Sequence, residues 1–124
     1  MVEPLSGHLH LRTQLMSRLV SFHKGLINSH KFTIRFLARL AERDLRTVLG
    51  NTLDYLVKQC NLSDINDLSA NIVKKRLTFE SVPHGSEWQV SLAQELLRIR
   101  RGELVVQGLS QDEIESMLSL ACTS

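Results

Sequence analysis

The side chains best suited to chemistry in this sequence are arginines and lysines at helical spacing. Arg35, Arg39 and Arg43 recur at steps of four residues, which aligns them on one face of a helix. A second cluster consists of Lys74, Lys75 and Arg76. Cationic side chains neutralise phosphates and position a nucleic-acid backbone without reading its bases. The two clusters are therefore predicted to form a nucleic-acid-binding surface.

The same cations are also compatible with an ordinary solvated helix face. The carboxylates available to pair with them are Glu42, Asp44, Glu80, Glu87 and Glu95. A charged stripe opposite an apolar one is typical of surface helices, and sequence alone favours this simpler interpretation. Aromatic residues that could stack on bases are few, and Phe22, Phe36 and Trp88 stand at positions that a core requires.

A metal site is the first idea that the histidines suggest. His8, His10, His23 and His30 lie in the first 30 residues. No cysteine or carboxylate stands among them at ligand spacing, and a helix would spread the rings over several faces. The sequence therefore predicts scattered surface histidines and no metal.

Covalent catalysis has equally little support. The sequence has no Gly-x-Ser-x-Gly elbow and no glycine-rich phosphate loop. Cys60 falls in an apolar stripe and Cys122 near the end of the chain, and nothing in the sequence near either would lower a thiol pKa. We expect no catalytic residue, no cofactor and no enzymatic activity in this chain.

Length and charge indicate one intracellular domain. The chain has 124 residues, 43% of them hydrophobic, and a formal net charge of +2, values typical of a single globular domain. No segment resembles a signal peptide or a membrane span, so we expect a nuclear or cytoplasmic protein with no membrane partner. Residues 1–60 carry nine Lys or Arg against four acids, and residues 103–124 carry none against four. Such asymmetry is typical of a nucleic-acid face or of two surfaces that attract each other.

Hydrophobic periodicity is helical along the first half of the chain. The stripe predicted for residues 11–28 is Leu15, Leu19, Phe22 and Leu26. The stripe predicted for residues 31–44 is Phe32, Phe36, Leu37 and Leu40. The stripe predicted for residues 44–60 is Leu45, Val48, Leu49, Leu53, Leu56, Val57 and Cys60. Within it, Gly50 costs helix propensity but allows close packing.

The second half supplies its own helix boundaries. Ser63 is predicted to cap a fourth helix, whose stripe is Ile65, Leu68, Ile72 and Leu77. After a loop at residues 82–85, Ser86 and Gln89 match a capping box, and the following stripe is Trp88, Leu92, Leu96 and Ile99. Gly102 is expected to end that helix. Ser110 and Glu113 match a second capping box, with Leu109 and Ile114 spaced as a hydrophobic staple.

These elements predict an all-α fold, a compact bundle of five to six short helices in a single domain covering residues 1–124. Residues 1–7 are expected to be flexible, and residues 109–124 to form a capped C-terminal helix. Residues 103–107 are the only extended candidate, and they have no second strand with which to pair.

Two segments together resemble a known family. They are "LRTQLMSRLVSFHKGLINSHKFTIRFLARLAERDLRTVLGNTLDYL" and "EWQVSLAQELLRIRRGELVVQGLSQDEIESMLSLACTS". In order, they look like the C-terminal region, after the polymerase core, of the endonuclease and reverse-transcriptase proteins of animal non-LTR retrotransposons. The shared features are an Arg-rich helix, the "DLRTVLGNTL" segment, a Trp, the "LLRIRRGEL" helix and a terminal helix ending near "CTS".

The resemblance implies a non-catalytic accessory module that assists binding of RNA or DNA, or a decayed fragment without activity. Polymerases of this family carry a Tyr-x-Asp-Asp-like motif, whereas Tyr55 is followed here by Leu56 and Val57, and the Cys/His zinc knuckle is absent. The alternative function is a helical protein-protein interaction module that docks on a larger protein or on itself, with its basic front and acidic end as complementary surfaces.

Overall fold

The computed structural model describes the backbone of residues 3–77 and 86–123 and the side chains of residues 11–77 and 87–119. Within these ranges it contains six α-helices, one short 3-10 helix and no strand. The α-helices are α1 (Glu3–Ile27), α2 (Phe32–Arg43), α3 (Val48–Gln59), α4 (Ala70–Arg76), α5 (Ser86–Arg100) and α6 (Gln111–Thr123). The predicted all-α bundle is confirmed.

Helix α2 packs against four helices, α1, α3, α5 and α6, and helix α1 packs against three, α2, α4 and α5. The buried side of α1 carries Met16, Val20, His23 and Ile27, whereas Leu15 in the predicted stripe is 36% exposed. Leu26 is buried as predicted, and Leu19 and Phe22 pack partly buried against the core, so the predicted stripe was rotated toward one edge of the true one. Hydropathy alone missed the rotation because polar residues such as His23 are buried here with partners of their own.

Helix α2 buries Leu37 and Leu40, as predicted, but not Phe32. Phe32 is 38% exposed and stacks on Phe36 with ring centroids 6.1 Å apart. Leu45, predicted in the stripe of α3, is 58% exposed because it lies in the turn before that helix begins. The ends of the predicted stripes were thus less accurate than their centres.

The turn between α2 and α3 brings two backbones into close contact. Thr47 caps α3 by accepting a hydrogen bond from the Gly50 amide at 2.9 Å, and its hydroxyl donates to the carbonyls of Ala41 and Asp44. A Cβ on Gly50 would overlap the Asp44 carbonyl oxygen and lie 2.8 Å from that of Ala41. The absence of a side chain at Gly50 therefore lets these two backbones pack closely, as was predicted from the sequence.

A carboxylate from α5 completes the start of α3. The Glu95 oxygens accept hydrogen bonds from the amides of Val48 at 3.0 Å and Leu49 at 2.8 Å. Together with the Thr47 cap, this satisfies the first three amides of α3, which have no partner within the helix. The negative charge also favours the positive end of the helix dipole. Glu95 therefore links α5 to the start of α3 through these two hydrogen bonds.

Replacement of Glu95 by alanine is expected to lower the free energy of unfolding by about 2 kcal/mol, because two partly buried amides lose a charged acceptor. Urea denaturation followed by circular dichroism would measure the change. Glu87→Ala is the matched control, since Glu87 is exposed on the same helix, and we expect a change within about 0.5 kcal/mol. Equal losses of unfolding free energy in both variants would show that the Glu95 hydrogen bonds do not stabilise the contact between α5 and α3.

The segment after α3 is not the single helix that was predicted from Ser63. Helix α3 ends with Asn61 at φ 59°, and the Leu62 amide donates to the Val57 carbonyl, which is a Schellman ending. Asp64 then caps a 3-10 helix at Ile65–Asp67, and Ser69 caps α4. The helix start predicted at Ser63 is wrong, because two successive caps divide the segment.

The end of α5 and the start of α6 lie where the sequence predicted them. Gly102 has φ 80°, and the Glu103 amide donates to the Arg98 carbonyl, so α5 also ends in a Schellman motif. Ser110 and Glu113 exchange the two hydrogen bonds of a capping box. Helix α6 then packs on α2 and buries Met117. Residues 103–107 form no strand.

Some predictions fall wholly or partly outside the described residues. The loop at residues 82–85 and the Ser86 side chain of the first capping box are not described. Gln89 of that box is buried, and its Nε2 has no hydrogen-bond partner in the described part of the chain. Helix α1 begins at Glu3, within residues 1–7; their flexibility stays a prediction.

Candidate nucleic-acid interface

The last turn of α4 presents Lys74, Lys75 and Arg76, and all three side chains are exposed. The segment that leads into α4 runs antiparallel to α1, because Ser17 donates to the Ala70 carbonyl while Lys24, further along α1, donates to the Asn66 carbonyl. Helix α4 itself packs on α1. The sequence of α1 contains one acid, Glu3.

The three α4 cations do not have the same role. Arg76 Nη1 donates to the Cys60 carbonyl at 2.8 Å, which ties α4 to the end of α3. Lys74 and Lys75 form no hydrogen bond or ion pair with any residue that the structure describes. Basic residues also stabilise the C-terminal end of a helix dipole. That interaction does not fix the ammonium group in one position, so the group can still contact an anion. These two ammonium groups are thus available to an external anion.

Arg39 is part of a buried network and not of an open cationic stripe. Its Nη1 lies 3.0 Å from Glu42 Oε2 and donates to Asn66 Oδ1 at 3.2 Å. On the other side, Glu42 Oε1 lies 3.1 Å from His23 Nε2, although the angle there is poor for a hydrogen bond. The Glu42 side chain is 4% exposed. This network joins α1, α2 and the 3-10 helix.

The charge state of Glu42 depends on these neighbours. Burial acts to raise the pKa of Glu42, but His23 and Arg39 beside it lower the pKa by more, so that the net shift is downward. Glu42 is therefore an anion at neutral pH. A buried anion requires its partners, so Arg39 has a structural role in the fold.

Arg35 and Arg43 differ from Arg39 and from each other. Arg35 Nη1 donates to the Ser29 carbonyl at 2.7 Å, and its guanidinium lies 5.8 Å from the centroid of the Phe32 ring. Arg43 is exposed and has no ion pair within the described residues. The regular spacing of the three arginines thus does not produce three equivalent side chains.

Arg39 and Arg43 meet in a cleft of about 680 Å³ between α2, α3 and the 3-10 helix. The cleft is also lined by three carboxylates: Glu42, Asp54 and Asp64. Asp54 is paired with Lys58 at 3.0 Å and Glu42 with Arg39 at 3.0 Å, so Arg43 and Asp64 are the charged residues of the cleft without a described ion pair. Arg39 is therefore held by a buried acid and Arg43 lies in a cleft with Asp64, whereas the α4 cluster presents two adjacent exposed lysines and is the better candidate.

The acids that sequence offered as partners are largely used elsewhere. Asp44 forms a two-point ion pair with Arg46 at 2.6 Å, and this hydrogen bonding keeps the pKa of Asp44 below its ordinary value. Glu95 caps α3, and Glu80 lies outside the described residues. Pairing with a nearby acid is therefore found for Arg39 with Glu42 and for Arg46 with Asp44, although Arg39 is largely buried and not part of a solvated face. No such pairing is described for Lys74 or Lys75.

A further group of basic residues, Arg98, Arg100 and Arg101, lies at the end of α5. Arg98 and Arg101 both pair with Glu103, at 3.3 and 3.1 Å, and the pKa of Glu103 is lowered by them, Arg101 first. Arg100 instead lies over the Phe22 ring, 5.7 Å from its centroid. This cluster is partly neutralised and is a weaker phosphate site than α4.

Other candidate chemistry finds no support. No three His, Cys, Asp or Glu side chains in residues 11–77 and 87–119 are grouped to hold a metal ion. His23 is buried, so it is not the surface histidine that was predicted. Burial raises the pKa of the Cys60 thiol, which makes it a weak nucleophile, as expected. Across the described residues, no helix is long and apolar enough to span a membrane.

The residues that sequence reasoning missed are those paired across long distances in the chain. His23 and Glu42 are 19 positions apart, and Asn66 lies 27 positions after Arg39. No spacing rule connects such pairs. The chain matches no known family model, no curated protein and no solved structure.

Proposed function

We propose that this chain is a non-catalytic helical module that contacts the phosphate backbone of RNA or DNA through the end of α4. The observation that carries the proposal is the outward pair Lys74 and Lys75, which no described carboxylate neutralises. Two such cations supply electrostatic attraction without base readout. Arg76 extends the cluster while it holds α4 to the rest of the fold.

The family resemblance adds a context to this proposal. A module after the polymerase core of a non-LTR retrotransposon protein would add backbone contacts to RNA or target DNA. The lack of a Tyr-x-Asp-Asp-like motif in the sequence agrees with an accessory and non-catalytic role. The proposed mechanism needs only exposed cations on a rigid helix, and it holds for either nucleic acid.

Charge reversal at α4 is expected to weaken binding to a generic single-stranded RNA or duplex DNA at low salt. We predict that K74E/K75E lowers affinity by about tenfold or more, because two phosphate contacts become repulsive. Fluorescence anisotropy with labelled oligonucleotides would measure the affinities. The variant should stay folded with a loss of about 1–2 kcal/mol at most, because neither lysine has a described partner but both new carboxylates would stand at the negative end of the α4 dipole.

The control for net charge is R18E/K31E, which changes the total charge equally at two exposed sites on other elements that have no described ion pair. We expect a smaller loss of affinity from this variant than from K74E/K75E. Failure of the wild-type chain to bind either oligonucleotide at low salt would refute the proposal. Equal losses in the two variants would show a diffuse charge effect and no α4 site.

The alternative of a protein interaction through the acidic end receives less support from the geometry. Helix α6 packs on α2 within the chain, and its Met117 is buried there. The apolar side of the acidic helix therefore has a partner inside the fold. A protein-binding surface has to be sought on other helices.

A further inference from the structure

A cleft of about 450 Å³ lies where α1, α2 and α5 meet. Helix α1 lines it with Phe22, Gly25 and Leu26, α2 with Ile34, and α5 with Arg100. Each of these three helices packs against the other two, so the walls of the cleft belong to the body of the bundle. The volume is within the range of small-molecule sites, which is roughly 300–1,000 Å³. We call this space the Phe22 cleft.

The inner surface of the Phe22 cleft is apolar. Leu26 and Ile34 are buried core residues, and Phe22 packs partly buried against the same core. Gly25 leaves part of the α1 wall without a side chain, and a Cβ at this position would meet nothing within 4 Å. Glycine weakens a helix interior, but here its missing side chain keeps the space open. The apolar part of a small molecule can therefore lie against this surface.

Arg100 supplies a positive charge at the cleft. Its guanidinium lies over the Phe22 ring, 5.7 Å from the centroid, and its side chain is exposed. No described residue accepts a hydrogen bond from Arg100 or forms an ion pair with it. Contact with the ring uses the face of the guanidinium, whereas its N–H donors point outward in the plane of the group. These donors are available to an anion.

The charges of the lining select the head group of the ligand. Arg100 is the only Arg or Lys among the described lining residues, and no described acid lines the cleft. The stretch 4–41, which supplies the rest of the lining, contains no Asp or Glu. One guanidinium matches one carboxylate in charge and in its two-point hydrogen bonding. A phosphate monoester would bring nearly two negative charges, so a carboxylate is the better match.

The turn between α1 and α2 adds polar groups to the cleft. Asn28, Ser29 and His30 all belong to its lining. The Ser29 hydroxyl accepts a hydrogen bond from the Lys31 amide at 3.1 Å, and its own hydrogen has no described acceptor. The Asn28 side chain donates to the Lys24 carbonyl at 2.9 Å, which fixes its orientation. A few ordered polar groups beside an apolar surface are typical of ligand sites.

We infer that the Phe22 cleft binds a small monocarboxylic acid with an apolar body. The body would lie against Leu26 and Ile34 above Gly25, and the carboxylate would pair with Arg100. No residue of α4 lines the cleft, so this site is separate from the proposed nucleic-acid surface. The double variant K74E/K75E should therefore bind the acid as tightly as wild type does.

The test uses phenylbutyrate as the probe, with isothermal titration calorimetry on the full chain. Phenylbutanol and phenylbutylamine are the comparison ligands, because they keep the apolar body and replace the carboxylate by a neutral or a positive group. We expect saturable binding of phenylbutyrate. Both comparison ligands should bind about tenfold more weakly or less, because they cannot form the charged pair with Arg100.

Filling the cleft should block the probe. G25L places a leucine side chain on the bare part of the wall and is expected to weaken phenylbutyrate by about tenfold or more. The melting temperature should not fall, because leucine is a better helix former than glycine and a Cβ at Gly25 meets nothing. The matched control is S21L, at an exposed position of α1 outside the described lining.

Charge reversal tests the role of Arg100. R100E should weaken phenylbutyrate and strengthen phenylbutylamine, so that the preference between the two is inverted. R18E changes the net charge equally at an exposed site outside the described lining and should keep the preference for the acid. A loss of folding would not produce a gain in amine binding.

Several results would overturn the proposal. One is absence of saturable phenylbutyrate binding, and another is equal affinity for phenylbutanol. Equal losses in G25L and S21L would place the ligand elsewhere, and an unchanged preference in R100E would exclude the charged pair. A peptide with a C-terminal phenylalanine that bound more tightly than phenylbutyrate would assign the cleft to the end of a partner protein and not to a small molecule.

Discussion

Replacement of Glu42 by alanine is expected to lower the free energy of unfolding by about 3–5 kcal/mol, the usual cost of removing one partner from a buried ion pair. The loss leaves Arg39, whose side chain is only 15% exposed, without its carboxylate. It also leaves His23, 3% exposed, beside an empty space. Urea denaturation at neutral pH would measure the change.

The same network sets how stability depends on pH. The pKa of Glu42 is lowered in the folded state from its ordinary value of 4.5. Its stabilising contribution is therefore complete above about pH 4.5 and is lost as pH falls through the folded pKa. Glu42→Gln should remove this part of the acid sensitivity, so the gap in stability between wild type and variant narrows toward about pH 3.

Glu115→Ala provides the control, because Glu115 is exposed on α6. We expect it to change the free energy of unfolding by less than about 0.5 kcal/mol. A Glu42→Ala loss as small as that of the control would show that the buried network does not stabilise the fold. A gap that stays constant with pH would show that Glu42 has an ordinary pKa.

Replacement of Gly50 by alanine is expected to cost about 3 kcal/mol or more, at the upper end of overpacking effects. The new methyl group would overlap the Asp44 carbonyl oxygen and crowd that of Ala41. Both atoms belong to the backbone, so they cannot move away as a flexible side chain could. The turn between α2 and α3 would have to open, which would disturb the Thr47 cap.

Gly25→Ala is the matched control for this effect. Gly25 lies inside α1, and a Cβ there would meet nothing within 4 Å. Alanine favours a helix over glycine by about 1 kcal/mol, so this variant should be slightly more stable than wild type. Thermal unfolding by circular dichroism would compare the two. A Gly50→Ala variant as stable as Gly25→Ala would show that the Asp44 and Ala41 carbonyls leave room for a side chain at position 50.

The sequence predicted best where local rules act. Gly102, Ser110 and Glu113 mark helix ends through backbone geometry and hydrogen bonds within a few residues, and the structure confirms all three. Ser63 failed because Asp64 and Ser69 are also good caps, and a local rule cannot choose among adjacent candidates.

Contacts between distant residues were beyond such rules. The α1 stripe was rotated because buried polar residues, Ser17 and His23, find partners at Ala70 and Glu42. Equal spacing of Arg35, Arg39 and Arg43 suggested equal roles. Tertiary packing instead tied Arg39 to a buried acid and placed Arg43 beside acidic side chains. Among the described members of the set, Lys74 and Lys75 are the pair that lies side by side, exposed and without a described partner.

The central claim is that Lys74 and Lys75 contact phosphates, and the salt dependence of binding tests it most directly. Each neutralised phosphate contributes about 0.9 to the slope of log affinity against log salt for duplex DNA and about 0.7 for single strands. K74A/K75A is therefore predicted to reduce the slope by about 1.8 on duplex DNA or about 1.4 on single-stranded RNA. An unchanged slope in this variant would contradict the account.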